Sequence, residues 1–339
     1  MKNITVVGTG GIGGTVAAFL KKAGERVTVV DASVPHIEAI RSQGLQVEGI
    51  RGEHEVRFDK ALLPEEIKGP LDLVFLAVKS QHTDTALASI APHLSEGGVV
   101  VSLQNGFNVS RIAEVVGPSR TIGAMIHMVA DFIGPGHIKR FTEGEFYVGG
   151  LDGRQTEGIQ KIAALLSQAV TTHTTTNILG YMWSKQIFGC YLVGTALVDA
   201  LSSEIVKPEW SKRIFVALMG EAMEAALAEG IAVETYEGRN PIVMLVSRKE
   251  DLPQAFEALP PGSAKGNSGI WLDIKVRHRK TETDYITGEV VRVGRKHGLS
   301  MAINARVAEM IKEIEEGQRP MSWENLRSLE KLADARLPK

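Results

Sequence analysis

The chain has a single cysteine, Cys190, in 339 residues. No intrachain disulfide can form, and a reducing, cytoplasmic compartment is the simpler expectation. That lone thiol sits in an apolar segment and reads as an inert core group rather than a nucleophile. An excess of one charge is missing too, with 38 Lys and Arg against 40 Asp and Glu for a formal charge of −2. Nothing global therefore favours nucleic acid or an anionic membrane as partner, although a local basic patch stays open. No apolar run approaches the length of a membrane span. The first strand-like run starts three residues after Met1, so no signal peptide is expected. The nine histidines are scattered, with no His-Glu-x-x-His and no Cys/His cluster, so no metal site is expected. There is no Gly-x-Ser-x-Gly element of a hydrolase, no internal repeat and no low-complexity tract.

What is present is concentrated in residues 4–31. Ile4-Thr5-Val6-Val7 suits a buried parallel strand, and Gly8, Gly10 and Gly13 follow in Gly-x-Gly-x-x-Gly spacing. An apolar-periodic helix runs from Val16 to Lys22, Gly24 marks its end, and Val27-Thr28-Val29-Val30 reads as a second strand closed by Asp31. In that context the loop Gly8-Thr9-Gly10-Gly11-Ile12-Gly13 is expected to bind a dinucleotide. Gly8 permits the tight turn, Gly10 lets the backbone approach a pyrophosphate, and Gly13 lets helix and strand pack closely. The helix start then offers unpaired N–H groups to the phosphates. A carboxylate at Asp31 would accept from both ribose hydroxyls and repel a 2′-phosphate, which favours NAD(H) over NADP(H). Asp31-Ala32-Ser33 also reads as a helix cap.

Length predicts two domains, and 44% hydrophobic with 23% charged residues is ordinary for a globular chain. Leu71 to Val78 is a nearly continuous apolar run, as is Gly98 to Leu103, and Thr83 to Leu94 between them has helical spacing ending near Gly97. Alternating strands and helices predict an α/β, Rossmann-type doubly wound parallel sheet. Thr121 to Gly150, with a turn at Gly134-Pro135-Gly136, reads as strands extending that sheet. From about Asn177 the texture becomes helical. Phe215, Leu218, Met219, Ala222, Met223 and Ala226 share one face of a helix over Ser211 to Glu229. Segment 282–297 repeats the pattern through Ile286, Val290 and Val293. Pro260-Pro261-Gly262-Ser263 reads as a loop. The expected division is a dinucleotide-binding domain over 1–176, a helical substrate and dimerisation domain over 177–325, and a peripheral tail over 326–339, with a cleft between the two domains.

Ligands of such sheets bind beyond the carboxyl ends of the strands. Lys79-Ser80-Gln81 and Gln104-Asn105-Gly106 fall there, although any loop after a strand tends to be polar. The ordered set Gly8–Gly13, Ala77-Val78-Lys79, Gln104-Asn105-Gly106, Trp183-Ser184-Lys185 and Thr281-Glu282-Thr283-Asp284 resembles the ketopantoate reductase (2-dehydropantoate 2-reductase) family over residues 4 to 305. Gly134-Pro135-Gly136 and Lys296-His297-Gly298 match as well. The resemblance implies an all-helical C-terminal domain of the 6-phosphogluconate dehydrogenase C-terminal-like kind, and reduction of a 2-oxo acid by hydride from a nicotinamide. It makes Lys185 the general acid, Asn105 the residue near nicotinamide and substrate, Lys79 the cofactor-side lysine, and Glu282 the carboxylate near ribose and active site. A lysine beside a carbonyl fits that reaction, because its ammonium stabilises charge growing on oxygen and can deliver the proton. The apolar Ile187, Phe188, Cys190, Tyr191 and Leu192 would lower its pKa by burial. Without the family, Lys185 reads as a solvated lysine and Glu282 as an acid favouring a helix N-terminus.

The resemblance breaks down at the substrate. The family places asparagines one and two helical turns after the lysine, and this chain has Gly189 and Val193 there. The substrate serine falls near Asn267-Ser268-Gly269, with Ser268 the assignment. Lost amides cost roughly 1 kcal/mol each or more when buried, so the reaction class carries over better than the substrate. Ketopantoate, the precursor of pantoate in pantothenate biosynthesis, is the default. A bulkier or more apolar 2-oxo acid bordered by Phe188, Tyr191 or Trp271 is the alternative. The rivals are a dehydrogenase of the same architecture acting on another hydroxy acid or forming an opine, and a non-catalytic NAD(H)-binding sensor. The expected partners are a small-molecule substrate and, as such folds allow, a second copy in a homodimer.

Overall fold

The computed structural model describes residues 3–261 and 266–338. It divides into two compact units, Met1–Ile178 and Leu179–Lys339. Gly262 and Ser263 of the expected loop lie outside the described residues.

The first unit carries strands β1 (Ile4–Val7), β2 (Val27–Val30), β3 (Leu45–Gly49), β4 (His54–Val56), β5 (Lys60–Leu62), β6 (Leu71–Leu76), β7 (Leu94–Ser102), β8 (Thr121–His127), β9 (Ala130–Gly134), β10 (His137–Arg140), β11 (Glu145–Gly150) and β12 (Thr171–Thr174). Its helices are α1 (Gly11–Lys22), α2 (Val34–Gln43), α3 (Thr83–Ile90), α4 (Val109–Val116) and α5 (Glu157–Leu166). Eight strands form one sheet in the order β12-β11-β8-β7-β6-β1-β2-β5. Its neighbours are parallel except for the antiparallel pair β8 and β11. Period-two alternation sorts the side chains onto two cores. Ile4, Val6, Val27 and Val29 pack with Val16 and Leu20 of α1 and with Ile159 and Ile162 of α5. Val7, Val30, Val74 and Leu76 pack with Leu87 and Ile90 of α3 and Ile112 and Val116 of α4. Helices thus cover both faces, the doubly wound arrangement the sequence predicted.

Three expectations for this unit need correction. β6 stops at Leu76, so Ala77 and Val78 already belong to the loop that follows. α3 stops at Ile90, where Pro92 enters a short 3-10 turn, and Leu94 through Gly97 and Gly98 form the start of β7. Only β8 and β11 of the 121–150 region extend the main sheet. β9 and β10 join β3 and β4 in a second sheet of order β4-β3-β10-β9. That sheet lies against the glycine side of α1, where a Cβ on Gly11 would come 2.6 Å from the Ala130 carbonyl carbon and one on Gly14 2.9 Å from Ile138 Cδ1.

The second unit is helical: α6 (Ile178–Thr195), α7 (Ser202–Ile205), α8 (Glu209–Ala228), α9 (Leu252–Glu257), α10 (Gly269–Lys275), α11 (Thr287–Lys296), α12 (Ala302–Glu315), α13 (Trp323–Arg327) and α14 (Glu330–Arg336). The predicted face of α8 is buried as a block. Its one buried acid, Glu221, accepts from Ile303 N at 3.0 Å, Asn304 N at 2.9 Å and Asn304 Nδ2 at 2.9 Å, capping α12 from a neighbouring helix. Segment 282–297 is not one helix. A 3-10 turn over Thr283–Tyr285 comes first, and Ile286, at φ −103° and ψ −88°, breaks it from α11. The tail expected to be peripheral is not, because Leu326, Leu329, Ala333 and Leu337 are buried. No helix among the described residues is long and apolar enough to cross a membrane.

Candidate active site

In the first unit the predicted residues collect at the carboxyl ends of β1, β2, β6 and β7. Gly8 has φ +90°, and a Cβ there would come 2.7 Å from Val78 N, so the glycine turn lies directly on the loop after β6. A Cβ on Gly13 would collide with the Gly8 carbonyl, whereas one on Gly10 meets nothing within 4 Å. Two of the three fingerprint glycines are therefore filled by the fold, and the third leaves open backbone at the start of α1. No side chain caps that helix and no acid occupies its first turn. Uncapped N–H groups beside open space suit an anionic pyrophosphate.

Asp31 is held by the turn it follows. Its Oδ2 accepts from Thr9 N at 2.7 Å and Thr9 Oγ1 at 3.1 Å, and its Oδ1 accepts from Ser33 N at 3.0 Å, just ahead of α2. The carboxylate is thus fixed at the strand end, whereas the helix-cap reading is not realised, because the N-cap of α2 is Ser33 and no side chain caps it. Sequence reasoning missed the buried His36. Gly136 N donates to its Nδ1 at 2.8 Å, so the ring proton is on Nε2, which donates to Thr9 O at 3.0 Å. One imidazole ties the glycine turn to the Gly134-Pro135-Gly136 turn of the second sheet.

The loops bearing Lys79 and Asn105 are locked together beneath those residues. Ser80 Oγ donates to Asn105 O at 2.9 Å, Asn108 Nδ2 donates to Asn105 O at 2.7 Å, and Gln104 Nε2 donates to Val78 O at 3.0 Å and Thr83 Oγ1 at 2.8 Å. Gln104, Asn108, Ser80 and Thr83 are buried, Lys79 is half-buried, and Asn105 is exposed. The polar clusters that read as ordinary loops thus divide into a buried scaffold and side chains presented on it.

In the second unit Lys185 lies on α6, half-buried between the buried Ser184 and Gln186. Burial lowers its pKa to about 8, and the negative charge of Glu282 opposes that shift. Glu282 is 3% exposed and heads the 3-10 turn. The two elements are joined by Gln186, which sequence reasoning passed over. Its Nε2 donates to Tyr285 O at 2.8 Å and Ile286 O at 2.9 Å. Its only sequence cue was an amide in an otherwise apolar run.

The departures from the family pattern now have a physical setting. A Cβ on Gly189 would come 2.9 Å from Ile286 Cγ2, so an isoleucine methyl takes the space an amide would need. Val193 is wholly buried. Tyr191 is core, donating to Pro260 O at 3.0 Å and packing on Phe215 with ring centroids 5.0 Å apart. Ser268 caps α10, its Oγ accepting from Trp271 N at 3.2 Å. Cys190 is buried, and burial pushes its thiol up to about 12.

Two family models match this chain. The one described as ketopantoate reductase PanE/ApbA matches residues 4–153, and the one described as ketopantoate reductase PanE/ApbA C terminal matches 177–315. The 2-dehydropantoate 2-reductase of Pyrococcus abyssi is 28% identical over 317 residues, spanning 91% of this chain and 96% of that one. The solved 2-dehydropantoate 2-reductase of Geobacter metallireducens is similar at 26% identity and TM-score 0.77, covering 92% of this chain and 99% of its own. A D-mandelate dehydrogenase solved with NADH and anilino(oxo)acetate shares the fold at TM-score 0.82 and 22% identity, covering 93% and 99%.

Proposed function

Since the chain belongs to the ketopantoate reductase family of oxidoreductases, we propose that it reduces a 2-oxo acid to the 2-hydroxy acid, preferring NADH, with Lys185 as proton donor. The observation that carries this reading is the placement of Lys185, a half-buried ammonium with its pKa drawn to about 8 and a buried carboxylate acting on it. A group poised there is still protonated near neutral pH and gives up its proton readily.

The bound nicotinamide supplies the hydride. Everything else falls to the chain. The open backbone at Gly10 and the uncapped start of α1 receive the pyrophosphate, and Asp31 accepts from the adenosine ribose while disfavouring a 2′-phosphate. Asn105, presented on the locked loops, orients the substrate. As C2 gains the hydride, negative charge builds on the carbonyl oxygen. Lys185 stabilises that charge and transfers its proton to the oxygen, leaving a neutral amine and a 2-hydroxy acid. Glu282 favours the ammonium, so the lysine is reloaded from solvent before the next turnover.

The apolar contact between Gly189 and Ile286 supports a second reading of the substrate. A wall without amides suits an aryl or branched apolar 2-oxo acid better than the hydroxylated ketopantoate. Both readings are tested by following NADH and NADPH oxidation separately with ketopantoate and with phenylglyoxylate, alongside Lys185→Ala. We expect NADH-driven turnover of at least one acid, reduced about 100-fold or more in the variant. Cofactor binding without turnover of any 2-oxo acid would instead favour a sensor, and NADPH preference would remove the role given to Asp31.

A further inference from the structure

The turn from β1 into α1 is fixed one peptide at a time. Gly8 N donates to Val30 O at 2.8 Å, Thr9 N donates to Asp31 Oδ2 at 2.7 Å, and Gly10 O accepts from Gly14 N at 2.8 Å. The peptide between Thr9 and Gly10 is held at its carbonyl, which accepts from His36 Nε2 at 3.0 Å. Among the described residues the imidazole is the only partner of that peptide, because Gly10 N meets no acceptor.

That peptide has two orientations with opposite consequences. A trans peptide carries its C=O and N–H on opposite sides, and no peptide bond of the described chain is cis. The bond that draws Thr9 O to the buried ring therefore turns the Gly10 N–H away from it. Turning the plane over would exchange the two groups and show a carbonyl oxygen where the N–H now points. Such a flip changes ψ of Thr9 and φ of Gly10, and glycine takes either sign of φ at little cost. Gly10 sits at φ −68° with open space beside it, so nothing in its own structure forbids the flip.

The ring that holds the plane is itself held. His36 is 1% exposed on α2, and its Nδ1 accepts from Gly136 N at 2.8 Å. Gly136 O in turn accepts from Gln46 N of β3 at 2.8 Å. A Cβ on Gly136 would come 2.8 Å from Ala39 Cβ, so this turn lies directly on α2. Phe132 of β9 packs edge-on against the ring with centroids 5.1 Å apart. The second sheet thus sets the tautomer and direction of the imidazole.

We propose that His36 is a positioning residue for the cofactor, locking the Thr9–Gly10 peptide with its N–H toward the pyrophosphate and its carbonyl away. This rests on the dinucleotide reading of the glycine turn above. An anion attracts the N–H and repels a carbonyl dipole, so only the locked orientation is competent to bind. Affinity then falls in proportion to the fraction of molecules that keep it.

The test is titration of the full chain with ADP-ribose, which carries the pyrophosphate, and with adenosine, which does not. Wild type is compared with His36→Asn and His36→Gln. An asparagine amide ends level with Nδ1 and falls short of Thr9 O, whereas a glutamine amide reaches the level of Nε2 and offers an N–H there. His36→Asn should bind ADP-ribose about 10-fold more weakly, the size of one hydrogen bond, and His36→Gln should stay within about threefold of wild type. Adenosine affinity should be the same in all three. In isotope-labelled wild type the Gly10 amide proton should move downfield on addition of ADP-ribose and keep its place with adenosine. Equal ADP-ribose affinity in His36→Asn and wild type would overturn the lock while leaving the glycine turn as the cofactor site. An equal loss for both ligands would overturn it in favour of a structural role, and a Gly10 amide unmoved by bound ADP-ribose would overturn it whatever the variants do. Wild type that binds neither ADP-ribose nor NADH would overturn the dinucleotide reading and the lock together.

Discussion

Lys185 keeps its proton in surroundings that disfavour it, and the balance of two influences sets the pH range in which it can act. Burial pulls the pKa to about 8 and the Glu282 charge pulls back toward the ordinary value of 10.5. In the proposed mechanism the protonated form is the donor, so oxo-acid reduction should be fully active below that pKa and fall tenfold per pH unit above it. In Glu282→Gln the opposing charge is gone, and the falling limb should move to lower pH. Profiles of kcat for the two proteins check this, and a wild-type limb near 10 would mark Lys185 as solvated. Lys185 and Glu282 were legible only through the ordered set of motifs, since neither residue type is distinctive alone. Asp31 was legible in part, its spacing apparent but not its bonds to Thr9 and Ser33.

Between residue and domain, the joint that matters is Gln186, one amide binding two successive carbonyls of the turn headed by Glu282. Gln186→Leu keeps the bulk and strands both acceptors. The expected cost is about 1–3 kcal/mol, read from the denaturant midpoint, with the pH limb shifting in the same direction as in Glu282→Gln because the carboxylate is no longer held. An unchanged pH profile would show that the turn keeps its place without this tie. Long periodic elements such as β1, α1, β2 and α8 could be read directly, because burial on both faces or one stripe leaves a pattern of its own. The second sheet could not, since β4 has three residues, β9 is half exposed, and its strands come from distant segments. The break at Ile286 was hidden for a different reason: the apolar spacing runs straight across it while the backbone does not.

At the scale of the whole chain, the last residues show how charge can mislead. Six of the fourteen residues in 326–339 are Lys, Glu, Asp or Arg, yet Leu326, Leu329, Ala333 and Leu337 are spaced for one face and are buried. Arg213 pairs with Asp334 at 3.1 Å, tying α14 back to α8. Three leucines at roughly 1.5–3 kcal/mol each amount to a large part of the ~5–15 kcal/mol that keeps a domain folded. A chain ending at residue 325 should therefore lose cooperative melting in its helical unit, and circular dichroism with a calorimetric scan would detect it. A truncated protein with the full-length transition would return the tail to the surface role its charges suggested.

Cys190, sealed among apolar neighbours with its thiol pushed up to about 12, has a practical consequence. Maleimide reagents need a thiolate and a path to it, and this chain's only native sulfhydryl offers neither. The wild-type background is therefore already silent. A surface cysteine engineered into either unit would carry a dye at one chosen position without any native residue being removed, so NADH binding could be followed through that dye's fluorescence.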